Sequence, residues 1–372
     1  MNNKDRFIII MAGGRGERFW PVSRNKTPKQ LLKLLGDQSF LQQTVERVRP
    51  LTSLDNIFII TNEIQTAEVR KQLPDLPRSN IITEPCGRDT CAAITLGAAL
   101  AYQRNPNAVL AVLPADHIIN EEKVFQKTLT DCFNLAANQD LLVTIGIKPT
   151  EPATGYGYIK TQRSLNTKGM SASTCTEFNK VDRFVEKPNL SKAKRFLKSG
   201  RYRWNAGMFV WSLSSFLNAL ERYQPEMRQT CRNWIQAANN KARLKRILKI
   251  QYPDIARISI DYALMEKADN VVMAHGNFDW DDLGSWTALE KYLMTDSNGN
   301  RIRGTCVQVD SHRNIVFDSR KKTGMPIALL GINDSIVVQT DDACLIAAKS
   351  CGQKLKELVS LLSNNPQFKR VI

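Results

Sequence analysis

Residues 12–30 read Ala-Gly-Gly-Arg-Gly-Glu-Arg-Phe-Trp-Pro-Val-Ser-Arg-Asn-Lys-Thr-Pro-Lys-Gln, directly after the apolar stretch Phe7 to Met11. Gly13, Gly14 and Gly16 let a backbone approach a ligand closely, and successive free N–H groups form an anion-binding concavity. Arg15, Arg18, Arg24, Lys26 and Lys29 face one acid, Glu17, so the cradle carries full positive charge. That chemistry suits a triphosphate. Two familiar phosphate loops are excluded. No Gly-Lys-Ser/Thr ending follows, and Phe19 stands where the dinucleotide fingerprint has its third glycine or alanine. A Gly-Gly-x-Gly alone is equally an ordinary tight turn. The cations and Pro28-Lys29-Gln30 argue against that reading, with Arg24 and Lys26 left as solvated charge on the same loop.

The acids come next. Asp116 follows Val109 to Pro114, and Asp282 sits in Trp280-Asp281-Asp282-Leu283-Gly284-Ser285-Trp286. A helix N-cap is the bland role for either. Magnesium commonly takes one or two carboxylates plus phosphate oxygens and water, and two such acids joined over a polyphosphate would fill that role. Lys187 lies in Phe184-Val185-Glu186-Lys187-Pro188, where a neighbouring Glu–Lys couple is usually a surface pair worth little. The functional reading gives Lys187 a second anionic group and Glu186 a sugar hydroxyl. Asn205 could do the same from its own loop.

Several elements must position these side chains. Apolar runs at 7–12, 56–61, 79–83, 108–113 and 141–147 alternate with helix-like stretches near 39–49, 63–72, 89–103 and 120–138. Such alternation predicts an α/β domain, Rossmann-like, with a mostly parallel sheet flanked by helices. Ligands bind there beyond the carboxyl ends of the strands. The glycine-rich loop, Thr83 to Asp89 and Pro114 to His117 all leave strands at such ends. Beyond residue 150 the pattern loosens. Thr154-Gly155-Tyr156-Gly157-Tyr158 reads as a turn into an extended stretch, residues 164–176 as a Ser/Thr-rich surface excursion, and 213–250 and 260–268 as helical. Turn residues at 296–300 suggest a boundary, dividing a catalytic domain at 1–297 from a small β-rich C-terminal domain at 298–372 with a terminal helix near 353–363. The small domain carries no recognisable chemistry, which leaves it packing or dimerisation. No convincing repeat is visible.

Composition narrows the partners. The formal net charge is +16 and the pI about 9.5, a balance compatible with nucleic acid, a membrane surface or small anionic substrates. The densest basic cluster, Lys241, Arg243, Lys245, Arg246 and Lys249, alternates with Leu244, Ile247 and Leu248 at helical spacing and reads as a solvated helix face. No basic run interleaved with aromatics suggests base stacking, so no nucleic acid is expected. Apolar runs fall far short of the ~20 residues of a membrane span. Eight cysteines without a Cys-x-x-Cys pair, and only three histidines, argue against zinc. Scattered thiols without a signal peptide suggest the cytoplasm.

With these residues in hand, the chain resembles the sugar-phosphate nucleotidyltransferases, and within them the mannose-1-phosphate guanylyltransferases. The likeness runs from the first loop through Glu84-Pro85-x-Gly87-Arg88, Leu113 to His117, Thr154 to Ile159, Phe184 to Pro188, Trp204 to Phe209, Ser259 to Lys267 and Asp282-x-Gly284-Ser285-Trp286, spanning 7–290 in the family's order. The segment after 300 resembles the family's short C-terminal domain more loosely. The resemblance implies a glycosyltransferase-A-like fold and transfer of GMP from GTP to α-D-mannose 1-phosphate. It implies Arg18 and Lys29 on the triphosphate, and the backbone of Gly13, Gly14, Arg15 and Gly16 as cradle. It further implies Arg88 bordering the nucleotide, Mg²⁺ on Asp116 and Asp282, Lys187 on the sugar phosphate, and Gly155, Glu186 and Asn205 around the hexose. A homodimer is compatible with it. Asp89 and Cys91-Ala92 depart from the family's usual Asn and Ala-Pro, and Glu17 from a small polar residue. A different sugar phosphate or nucleotide, and a non-catalytic nucleotide-sugar-binding subunit, are the alternatives.

Overall fold

The computed structural model describes residues 2–14, 16–165, 174–321 and 324–372. Phe7, Ile8, Ile9 and Ile10 are each at most 2% exposed, so β1 (Arg6–Met11) is buried on both faces and must be hydrogen-bonded on both edges. Its neighbours are β2 (Ile57–Asn62) and β4 (Val109–Pro114), both parallel to it, and β3 (Ile81–Glu84) continues the parallel set beyond β2. Between them run α1 (Phe40–Val48), α2 (Thr66–Gln72), α3 (Asp89–Arg104) and α4 (Glu122–Asn138). Crossovers of this kind put every carboxyl end of β1 to β4 on one edge. Helix α3 packs very close to β1: a Cβ on Gly97 would lie 2.7 Å from Cδ1 of Ile9.

The rest of the nine-stranded sheet is mixed. It adds β5 (Leu142–Ile147), β6 (Tyr158–Ser164), β7 (Phe178–Val185), β8 (Tyr202–Ser212) and β9 (Val271–Gly276) in the order β3-β2-β1-β4-β8-β5-β9-β7-β6. Strand β8 is antiparallel to both β4 and β5, and β7 is antiparallel to β6 and β9. The parallel pattern expected from the alternation therefore holds for β1 to β4 and for β5 with β9. It stops where β6 and β7 pair directly instead of through a crossover helix. Most of the Ser/Thr-rich excursion, 166–173, lies outside the described residues. Helices α5 (Leu190–Ser199), α6 (Leu213–Tyr223), α7 (Pro225–Ala237) and α8 (Lys241–Gln251) follow. On α8 the five cations are exposed, while Leu244, Ile247 and Leu248 turn toward the core.

The chain forms two compact units that cut across the sequence order. One comprises 1–13 and 44–281; the other comprises 14–43 and 282–372. The boundary expected at 297–298 falls inside the second of these units. In the second unit, β10 (Arg301–Arg303), β12 (Ile315–Asp318) and β14 (Ser335–Gln339) stack in parallel, with β15 (Cys344–Ala348) antiparallel at the edge. A second parallel pair joins β11 (Cys306–Val309) to β13 (Ile327–Leu330), and α9 (Leu355–Ser363) closes the chain. This is a short solenoid. Its repeat is faint in the sequence because only a few residues recur from coil to coil, such as Asn300-Arg301-Ile302 and Asn314-Ile315-Val316.

Asparagines hold the coils together. Asn314, fully buried, donates to the Asn300 side chain at 3.0 Å and to the Ile332 carbonyl at 2.6 Å, and accepts from the Ser335 amide at 3.0 Å. The signature loop is part of the same unit. Phe19 meets Trp286 edge-on at 5.2 Å, the Trp286 indole donates to the Trp20 carbonyl at 3.1 Å, and the Trp20 indole donates to the Val371 carbonyl at 2.7 Å. Arg24 pairs with Asp342 at 2.8 Å and is only 15% exposed along its side chain. It is a loop anchor, not solvated charge.

Asn314→Ala would leave buried groups of two coils without partners. The expected loss is roughly 3 kcal/mol, one to a few unsatisfied groups' worth, read as a lowered urea midpoint; an unchanged midpoint would contradict the role given to this ladder.

Candidate functional site

In the second unit a backbone conformation sets the geometry. Gly16 has φ +62°, and a Cβ there would collide with the backbone of Lys29. The loop therefore folds directly onto Lys29, whose ammonium donates to the Asp282 carbonyl and lies 5.7 Å from the centre of the Phe40 ring. Lys29 is only 6% exposed. Gln30 donates to the Gly14 carbonyl at 3.0 Å, which fixes the other side of the loop. Arg18 is exposed, and its Nη1 lies 3.8 Å from where a Cβ on Gly284 would stand; Asp282 Oδ1 lies 3.2 Å from the same point. Arg18 and Asp282 thus converge at Gly284, and Lys29 is held on the Asp282 backbone carbonyl. Arg15 lies outside the described residues.

In the first unit the strand ends carry the polar groups. Asp116 follows β4 and is half-buried, but it does not cap α4, whose N-cap position is Glu121. Asp282 likewise precedes a turn of 3₁₀ helix whose N-cap position is Trp286. The capping explanation therefore accounts for neither acid. Lys187 is exposed at the end of β7, with φ +37°. Glu186 beside it is half-buried, and burial is the main force raising its pKa, with the Asp261 charge adding and Lys187 opposing. Asn205 donates to Asp261 at 2.8 Å and accepts from the Gly207 amide at 3.1 Å. Burial also raises the pKa of Asp261, against the hydrogen bond from Asn205.

Some expected residues stand differently. A Cβ on Gly155 would meet open space, whereas one on Gly157 would strike Glu186 and lie 3.5 Å from the Asn205 Cβ. Gly157 is the glycine that lets Glu186 and Asn205 approach this loop. Arg88 turns its guanidinium to the Pro253 carbonyl, so its side chain braces its own loop. Asp89 takes φ +65°, a conformation that Asn and Asp tolerate best among the non-glycine residues. This is the physical reason either residue serves at that position.

Two groups stand in motifs that carry the family likeness without a role of their own there. Asp261 lies between Ser259 and Lys267, and only the fold brings it to Asn205. Glu84, at the end of β3 and 7% exposed, accepts the Tyr252 hydroxyl. Its other oxygen, Oε2, lies 3.3 Å from where a Cβ on Gly13 would be. Burial pushes the Glu84 carboxyl up to about 7; the Tyr252 hydrogen bond opposes this, and the Asp89 charge adds to it. Tyr252 is stacked on Trp234 with centroids 5.6 Å apart.

Comparison with known proteins agrees with the geometry. The family model described as nucleotidyl transferase matches residues 7–299, and one described as a MannoseP isomerase/GMP-like beta-helix domain matches 304–362. A mannose-1-phosphate guanylyltransferase of Salmonella montevideo is 40% identical over 94% of this chain and 72% of its own length. The xanthan biosynthesis protein XanB of Xanthomonas campestris pv. campestris is 38% identical over 97% of this chain and 74% of its own. A crystal structure described as a mannose-1-phosphate geranyltransferase from Thermus thermophilus superposes with a TM-score of 0.82. It shares 29% identity and covers 96% of this chain and 99% of its own.

A raised carboxyl pKa has a definite sign in stability. The folded state holds the Glu84 proton up to about 7, against an ordinary value of 4.5, so this contribution is fully present below 4.5 and lost as pH rises through 7. Relative to Glu84→Gln, the wild type should lose up to about 3 kcal/mol across that window. Urea unfolding of both proteins from pH 5 to 8 tests it, and a difference that does not change with pH refutes the burial argument.

Proposed function

The chain belongs to the nucleotidyl transferase family, and on that premise we propose that it transfers GMP from GTP to α-D-mannose 1-phosphate, giving GDP-mannose and pyrophosphate. The observation that carries the reading is the gathering of two cations about Asp282: Arg18 beside it at Gly284 and Lys29 on its backbone carbonyl. The names of the relatives favour guanine and mannose among nucleotides and sugars.

A phosphate oxygen of the sugar phosphate attacks the α-phosphorus of GTP. The bond from that phosphorus to the bridging oxygen of the β-phosphate breaks, and pyrophosphate leaves with the electron pair. The attacking oxygen is already an anion, so no general base is required. The obstacle is repulsion between two polyanions, which charge and positioning overcome. Arg18 and Lys29 neutralise the triphosphate, and the backbone from Gly13 to Gly16 cradles it. Lys187 holds the sugar phosphate, while Glu186 and Asn205, the latter oriented by Asp261, bind hexose hydroxyls. Glu84 Oε2, the oxygen not taken by the Tyr252 hydroxyl, is the acceptor assigned to the guanine edge.

Mg²⁺ fits the donor set. Asp116 and Asp282 are the residues proposed to hold it. Mg²⁺ takes one or two carboxylates and completes its shell with phosphate oxygens and water. Bound there, it supplies Lewis-acid polarisation of the phosphate. The cysteines are all free thiols, which supports work in a reducing compartment.

A matrix of four NTPs against several hexose 1-phosphates, scored by pyrophosphate release with and without Mg²⁺, tests the assignment. GTP with mannose 1-phosphate should exceed every other pair; best activity with UTP and glucose 1-phosphate would overturn it. Lys29→Ala and Lys187→Ala should each lower kcat/KM by roughly two to three orders of magnitude, the scale of one preorganised charge. Wild-type rates in either variant would remove its role.

A further inference from the structure

The segment between Asp116 and α4 is held far more firmly than a surface loop requires. Residues 117–121 are tied to 279–281, all within the first unit. Ile118 and Asp281 exchange both backbone hydrogen bonds, at 2.9 and 3.1 Å. The Trp280 indole donates to His117 Nδ1 at 3.1 Å, with the two rings edge-on at 5.2 Å. The Asp279 carboxylate accepts from the Asn120 amide at 2.8 Å, the Asn120 side chain at 2.6 Å and the Glu121 amide at 2.7 Å. Glu121 returns a bond by accepting from the Asp279 amide at 2.7 Å. Glu121 makes no side-chain cap of its own, so Asp279, some 158 residues away, satisfies the amides that lead into α4.

This antiparallel ribbon starts one residue after Asp116 and ends one residue before Asp282. We propose that it is the device that positions the Asp116 carboxylate for a divalent cation, with His117 and Asp279 as its positioning residues. The inference rests on the metal reading above. The ribbon fixes two things. His117, 8% exposed, presents an acceptor nitrogen only in the tautomer with its proton on Nε2, and that nitrogen orients the indole at 280. Asp279 fixes where the chain turns into α4, and with it the direction in which the segment leaves Asp116. Metal-binding carboxylates depend on such supporting partners, whose loss typically costs about 10- to 100-fold in metal affinity or activity.

Replacing the acceptor distinguishes positioning from packing. His117→Phe keeps a ring at 117 but leaves the Trp280 N–H without its acceptor, whereas His117→Asn can present Oδ1 in place of Nδ1. The probe is Mn²⁺, titrated by electron paramagnetic resonance onto the full-length protein with saturating GDP-mannose, beside Mg²⁺ activation of turnover and the thermal midpoint. His117→Phe and Asp279→Ala should each raise the half-saturating Mn²⁺ and Mg²⁺ concentrations about tenfold or more. The KM for GTP at saturating metal and the thermal midpoint should stay near wild type. His117→Asn should restore most of the metal affinity.

Unchanged Mn²⁺ binding in both His117→Phe and Asp279→Ala, with the wild type dependent on the cation, overturns the ribbon's role and leaves the metal reading intact. A wild type that neither binds Mn²⁺ nor needs Mg²⁺ removes both. A loss of affinity that tracks a fall in thermal midpoint, and that His117→Asn fails to rescue, makes the ribbon a packing element and also overturns the proposal.

Discussion

β1 cannot exist in water. Four consecutive side chains at no more than 2% exposure oblige the strand to have hydrogen-bonded partners on both edges and apolar cover on both faces. Parallel neighbours joined by crossover helices are the economical solution, and they place the carboxyl ends of β1 to β4 side by side. Gly13, Glu84 and Asp116 owe their common edge to that single requirement. Helix α3 pressed against Ile9 at Gly97 shows how closely the cover is fitted.

Much of this was legible in the sequence because it is local. Runs of Ile and Val between helical stretches announce the parallel strands, and the order of motifs announces the family. The pairings that finish the site are not local. Asn205 meets Asp261 across 56 residues and Tyr252 meets Glu84 across 168, and nothing near either residue encodes its partner. Arg24 illustrates the opposite failure. Its surroundings in sequence are basic and polar, so it reads as solvated charge, yet the solenoid holds Asp342 against it. Gly155 and Gly157 are indistinguishable as letters; only the approach of Glu186 separates them.

The electrostatics around Glu186, Asn205 and Asp261 run against the strongly basic composition. Glu186 and Asp261 sit together, with the charge of Glu266 also acting on Glu186, and burial raises the pKa of both Glu186 and Asp261. Burial and mutual repulsion both oppose ionisation of these acids. Lys187, the cation at this position, works against their mutual repulsion. It does so from a left-handed backbone, as do Asp89 and Leu283. Among the described residues the other non-glycine positions of this kind, Asp310, Arg313 and Asp334, are turns of the solenoid.

The bond from the Trp20 indole to the Val371 carbonyl ties the glycine-rich loop to the last turn described in the chain. Whatever is attached beyond Ile372, whether an affinity tag, a fusion partner or a further domain, begins beside a hydrogen bond that steadies the glycine-rich loop. An extension placed there is therefore never a neutral handle for this protein, and an amino-terminal tag is the safer choice for quantitative enzymology.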